Sequence, residues 1–254
     1  MRGRKKQIRL WAVLVWLAVW QAAGMALARA WPHGHLLLAT PVQALARLGE
    51  LALTAAFWQA VGASAVRIVG GFLLSCALAV MLAALAARFR RVEELLGPPV
   101  AAIKAVPVVS FIILALVWLR AEQLALFISA LMVFPPVYLN VLAGIGSADA
   151  KLLEMAAVFR VPAARRLRWI YLPAVLPYFR SAVSLALGLC WKAGIAAEVI
   201  GLPAGTMGER LYQAKIYFET GDLFAWTAVI VAVSVVFEKL FLSLVDAAAG
   251  KGAR

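Results

Sequence analysis

The chain has 254 residues, 65% of them hydrophobic and 15% charged, with a mean hydropathy of +0.92. Soluble domains run at about 45–50% apolar and about 25% charged residues, so a soluble enzyme of this composition would lack the polar surface to cover itself. A disordered chain and a disulfide scaffold are excluded too, which leaves an all-α polytopic membrane protein read as one domain over residues 1–254. Lys and Arg number 25 against 12 Asp and Glu, a net charge of +13. In lipid such an excess marks loops held on the cytoplasmic side rather than a nucleic-acid partner. Cys76 and Cys190 lie in apolar stretches and read as buried thiols, without metal-ligand spacing around them.

A helix needs about 20 mostly apolar residues to cross the hydrocarbon core. Six runs qualify: 10–31, 66–87, 102–119, 123–144, 181–200 and 223–245. The first follows the basic segment 1–9. It resembles a signal peptide, but its apolar stretch is too long and no convincing small-residue cleavage site closes it. It is therefore expected to stay as a span. With six spans starting inside, eighteen Lys and Arg fall on inner segments and five on outer ones. That bias places both termini, including the tail 246–254, in the cytoplasm.

Between the first two spans, His33 and His35 flank a loop with no further ligand nearby, and are expected to be incidental. Gln43–Leu53 has helical periodicity and can lie along the interface. Arg67 heads the second span and is expected to snorkel to the outer headgroups. Pro107 interrupts the start of the third span. Pro135-Pro136 is expected to break the fourth.

The inner segment 145–180 is the most informative. Ser147 or Asp149 can cap a helix carrying Glu154, with Leu152, Met155, Ala156 and Phe159 as an apolar stripe. Pro162 interrupts that helix. A second short helix is expected over Ala163–Tyr171, with Arg165 and Arg168 on one face, ending at Pro173. The residues alone leave two readings open: a loop lying on the membrane that holds anionic lipid through its arginines, and a rigid docking site for a cytosolic partner.

On the fifth span, Ser184, Gly188, Trp191, Ile195 and Glu198 recur at three- and four-residue steps. Together with Lys192 they are candidates for a substrate path, because ionisable groups in apolar spans rarely face lipid. The alternative for Lys192 is a packing ion pair with Glu198 or Glu238. Gly201, Pro203, Gly205 and Gly208 keep the outer loop 201–222 from forming one long helix.

Glu154-Met-Ala156, Arg160 and Ile170-Tyr-Leu-Pro173 align without gaps with the EAA loop of ABC-importer permeases. Thr40-Pro41, Ser64-Ala-Val-Arg67, Gly71-Phe72, Lys104-Ala-Val-Pro107, Phe134–Asn140 and Ala197-Glu198 make the whole chain resemble the nitrate/sulfonate/taurine branch. The resemblance implies the type I importer permease fold, with 145–180 as a cytoplasmic coupling loop. Leu152, Glu154, Met155, Ala156, Phe159, Arg160 and Arg165 then face a cytosolic ATPase dimer. It also implies a second, identical permease chain, an extracytoplasmic substrate-binding protein, and ATP with Mg bound by the partner subunit.

The chain itself has no Walker-A phosphate loop. It is expected to hold no catalytic residue, cofactor or metal. The expected cargo is a sulfonate- or nitrate-like anion, with a thiamine- or riboflavin-type heterocycle as the alternative. Rivals are an ATPase-independent secondary transporter, a membrane enzyme and a scaffold. One departure stands out: the family has glycine where Arg160 stands, in a turn that suits a left-handed residue.

Overall fold

The computed structural model describes residues 10–252, and every regular element among them is helical. In chain order they are α1 (Leu10–Ala30), α2 (Gly34–Leu37), α3 (Pro41–Ala52), α4 (Ala55–Arg88), α5 (Arg90–Ala105), α6 (Val108–Ala115) and α7 (Ala121–Gly146). After them come α8 (Ala150–Val158), α9 (Ala163–Arg166), a π-helical turn (Leu167–Tyr171), α10 (Leu172–Gly201), α11 (Met207–Ile216) and α12 (Thr220–Gly252). The basic segment 1–9 and Arg254 lie outside the described residues.

Helices α1, α4, α7, α10 with its preceding turns, and α12 are long and apolar enough to cross a membrane. These correspond to five of the six runs. The third run, 102–119, is not one helix: α5 and α6 meet at a bend of 106°. Val106, held extended ahead of Pro107 at φ −81°, ψ 133°, ends α5. Pro107 then starts a new helix, so a sixth crossing exists only if the bent pair counts as one.

Two expectations about proline are overturned. α7 runs unbroken through Pro135 and Pro136. The prolines leave the Leu131 and Met132 carbonyls without their ladder donors, which α7 tolerates where it packs between α4 and α10. Pro173 does not end the loop's second helix either, because the chain stays helical from α9 through the π-helical turn into α10. Leu172 N–H bonds to the Leu167 carbonyl, one residue beyond the α-helical partner. The ladder thus changes register just before Pro173, a residue with no N–H to strand.

The stretch read as an interfacial helix is α3. Thr40 Oγ1 accepts from Gln43 N–H while Gln43 Oε1 accepts from Thr40 N–H, a reciprocal cap. Such a cap contributes about 1 kcal/mol. Thr54 caps α4 by a single bond, its Oγ1 accepting from Phe57 N–H. Because α4 starts at Ala55, Arg67 lies more than three turns inside it. Arg67 Nη1 is enclosed rather than free to reach headgroups.

The core sits where α7 packs between α4 and α10. Small residues permit the approach. A methyl group at Gly194 on α10 would lie 2.6 Å from both Ile68 Cγ1 and Ser129 Oγ. Hydroxyls bridge the same helices, with Ser129 Oγ donating to the Cys190 carbonyl and Ser75 Oγ to the Ala130 carbonyl. Cys76 and Cys190 are buried and free. Phe72 packs edge-on against Phe237 and Phe241 of α12.

Ion pairs hold both ends of α12. Arg47 bonds Asp222 at 2.5 and 3.1 Å, and Arg180 bonds Asp246 at 2.5 and 2.9 Å. Hydrogen bonds to Asp222 and Glu50 hold the Arg47 guanidinium above its ordinary pKa.

Candidate functional site

The segment between α7 and α10 is a pair of helical pieces around one tight turn. Asp149 is the cap: its carboxylate accepts from Lys151 N–H at 2.9 Å. Ser147, the other candidate, donates to the Gly144 carbonyl instead. α8 then ends in a Schellman motif. Val161 N–H reaches the Ala156 carbonyl at 2.8 Å and Arg160 N–H reaches Ala157 at 3.0 Å. Arg160 sits at φ 48°, in the left-handed region. The turn is therefore made as glycine would make it, at a steric cost of about 1–2 kcal/mol for a residue with a Cβ.

The apolar stripe of α8 divides. Ala156 is buried, anchoring the helix, whereas Leu152, Met155 and Phe159 are 43%, 51% and 74% exposed. Glu154, Arg160 and Arg165 are exposed around them. Three large apolar side chains at i, i+3 and i+7 along α8 and its C-cap form an exposed apolar patch. Burying each stabilises a contact by about 1.5–3 kcal/mol. That exceeds the return from exposed ion pairs, about 0–1 kcal/mol each.

The candidates on α10 fall on two faces. Trp191, Ile195 and Glu198 are buried within the chain, with Trp191 edge-on to Phe237 at 6.2 Å. Gly188 and Lys192 lie on an exposed face with Leu185 and Leu189. Ser184 is half-buried, 3.5 Å from Glu238 Oε1. Lys192 makes no ion pair with Glu198 or Glu238, and nothing crowds a Cβ at Gly188.

Glu198 is fully buried at the C-terminal end of α10 and faces the start of α11. Its Oε2 accepts from Ser64 Oγ at 2.7 Å and from Gly208 N–H at 3.1 Å. Ser64 Oγ in turn accepts from Met207 N–H at 2.9 Å. A carboxylate and a hydroxyl thus satisfy the first N–H groups of α11, where the helix dipole favours negative charge. Gly208 has to be glycine, since a Cβ there would overlap Glu198 Cβ.

Sequence reasoning singled out Glu198 but not its partners. The available signal was Ser64 one helical turn before Arg67, a polar pair in an apolar helix. Among the described residues, no group of three or more His, Cys, Asp or Glu has metal-binding spacing.

Comparison with known proteins identifies the class. Residues 78–250 match the family of binding-protein-dependent transport system inner membrane components. The chain is 31% identical over 225 residues to an aliphatic sulfonates transport permease protein of Bacillus subtilis, covering 88% of this chain and 79% of that one. A bicarbonate transport system permease protein of Synechococcus elongatus is 28% identical, over 57% of this chain and 52% of its own. A riboflavin transport system permease protein of Chloroflexus aurantiacus is 27% identical, over 87% and 81%. This chain belongs to the binding-protein-dependent inner-membrane permease family, of the ABC-importer type. The resemblance drawn from the loop residues is borne out, and the secondary-transporter and scaffold rivals fall away.

Proposed function

We propose that the chain is the non-catalytic, path-forming subunit of an importer driven by a separate cytosolic ATPase dimer, which binds the ATP and Mg. The whole chain acts as one membrane domain. With the bent α5–α6 pair counted as one crossing, both termini and the loop 145–180 face the cytoplasm, the arrangement the basic-residue bias favours. The observation that carries this reading is the exposed stripe Leu152, Met155 and Phe159 on α8, whose loop runs without a helical break from Ala163 into α10. Glu154, Arg160 and Arg165 frame the docking patch, and Ala156 locks it to the chain. Motion of a docked ATPase then tilts α10 directly, which is a rigid-body route to alternating access.

The substrate path runs along the exposed face of α10 bearing Gly188 and Lys192, with Ser184 at its edge and a second identical chain opposite. Trp191 and Glu198 stand behind that face and hold its shape. An extracytoplasmic binding protein delivers the cargo. The cargo is a small anion of sulfonate or bicarbonate type: such permeases are among the relatives, and Lys192 is a cation within the span that makes no ion pair among the described residues. The riboflavin permease supports the heterocycle alternative, for which Lys192 has no evident use.

The test is Glu154→Lys in the reconstituted transporter. Uptake is expected to fall at least tenfold while membrane insertion stays normal. Unchanged uptake would remove the loop from the mechanism.

A further inference from the structure

Two cavities adjoin where α4 ends and the π-helical turn begins. One, about 380 Å³, lies between α4, α7 and α10, with Ala84, Val141, Ile145 and Val175 among its apolar walls. The other, about 660 Å³, is lined by Arg88, Arg166 and the alanines of α9. Arg88, Leu167 and Tyr171 line both, and no acidic residue lines either. Arg166 Nε is shut off from solvent and has no hydrogen-bond partner among the described residues. Arg88 makes no ion pair among them and lies 5.5 Å over the Phe89 ring.

Arg88 is the last residue of an apolar span, so the cationic mouth sits at the membrane surface. The apolar arm follows α4 back to Val80, about 12 Å into the bilayer at 1.5 Å per residue. We propose that this groove binds one anionic phospholipid, with its phosphate between Arg88 and Arg166 and an acyl chain along Ala84, Val141 and Ile145. A protein partner matches the mouth but not the arm, which opens at membrane depth. A free anion matches the mouth alone. Basic pockets between membrane helices recognise lipid headgroups in this way, and the apolar cavity has the size of a ligand site, about 300–1,000 Å³. The bound lipid packs against Leu167 and Tyr171, bracing the junction between the loop and α10.

Native mass spectrometry of the full chain tests this with phosphatidylglycerol and phosphatidylcholine of identical acyl chains. The chain is expected to prefer phosphatidylglycerol. Arg88→Gln with Arg166→Gln should erase about thirty-fold of that preference, each charge being worth a factor of about five at a membrane surface. Arg88→Gln alone, at an exposed helix end, should erase about five-fold. Ala84→Trp, which leaves both arginines, should weaken binding of both lipids by filling the arm. An undiminished preference for phosphatidylglycerol in the double variant, unchanged binding in Ala84→Trp, or full displacement of lipid by inorganic phosphate would each overturn the proposal. None of these readouts requires an ATPase, so they stand apart from the role proposed for α8.

Discussion

Ser64 Oγ donates to Glu198 Oε2 across 2.7 Å, and through that one carboxylate oxygen α4, α10 and the start of α11 are tied together. Both groups are fully buried. Removing the carboxylate leaves the Gly208 N–H and the Ser64 hydroxyl without their acceptor, at a cost of about 1.5–3 kcal/mol for a hydrogen bond to a charged group. Glu198→Ala should therefore lower the thermal unfolding midpoint clearly. Glu198→Gln should lower it less, because an amide oxygen can accept the same two bonds. Equal midpoints for the two variants would mean that this geometry contributes nothing.

Two glycines on α10 give a matched pair of substitutions. Gly194→Ala places a methyl group against Ile68 and Ser129 and should destabilise by about 1–3 kcal/mol. Gly188→Ala meets nothing within 4 Å and gains helix propensity, about 1 kcal/mol. Opposite shifts in unfolding midpoint are expected. A stabilised Gly194→Ala would contradict the close packing of α10 on α4 and α7.

Arg160 occupies a left-handed turn that glycine adopts freely. Arg160→Gly should relieve about 1–2 kcal/mol of local strain and leave ATPase copurification and uptake at wild-type levels or above. Loss of copurification would show that the arginine makes its own contact with the partner, outweighing the strain.

Much of this architecture was legible in the sequence, and the misses have physical causes. Long apolar runs marked five spans because burial in lipid demands length and composition alone. Thr40-Pro41 announced α3 through capping chemistry. The effect of each proline depended on its surroundings. Pro107 bent the third run because Val106 before it went extended, whereas Pro135 and Pro136 stayed helical where α7 packs between α4 and α10, and Pro173 did so after the π-helical turn. The α8 stripe was visible as a period, but not that Ala156 turns inward while Met155 and Phe159 turn outward. Ser64 and Glu198 lie 134 positions apart, and only the folded chain brings them together.

Lys192 is exposed on α10 without an acidic partner among the described residues. If it meets an anionic cargo, Lys192→Met should raise the half-saturating concentration for uptake by about ten- to hundredfold, the equivalent of about 1.5–3 kcal/mol. Binding-protein-independent ATP hydrolysis should be unaffected. Unchanged uptake kinetics would move Lys192 from the path to the surface.

The exposed stripe on α8 is the most direct point of test. Replacing Met155 and Phe159 by Asp puts two charges into the proposed contact without touching the buried Ala156 that anchors the helix. In pull-downs from membranes with the cognate ATPase coexpressed, the doubly substituted chain should be recovered at normal yield with the ATPase missing and uptake abolished. Recovery of a stoichiometric complex with normal ATP-driven uptake would contradict the account.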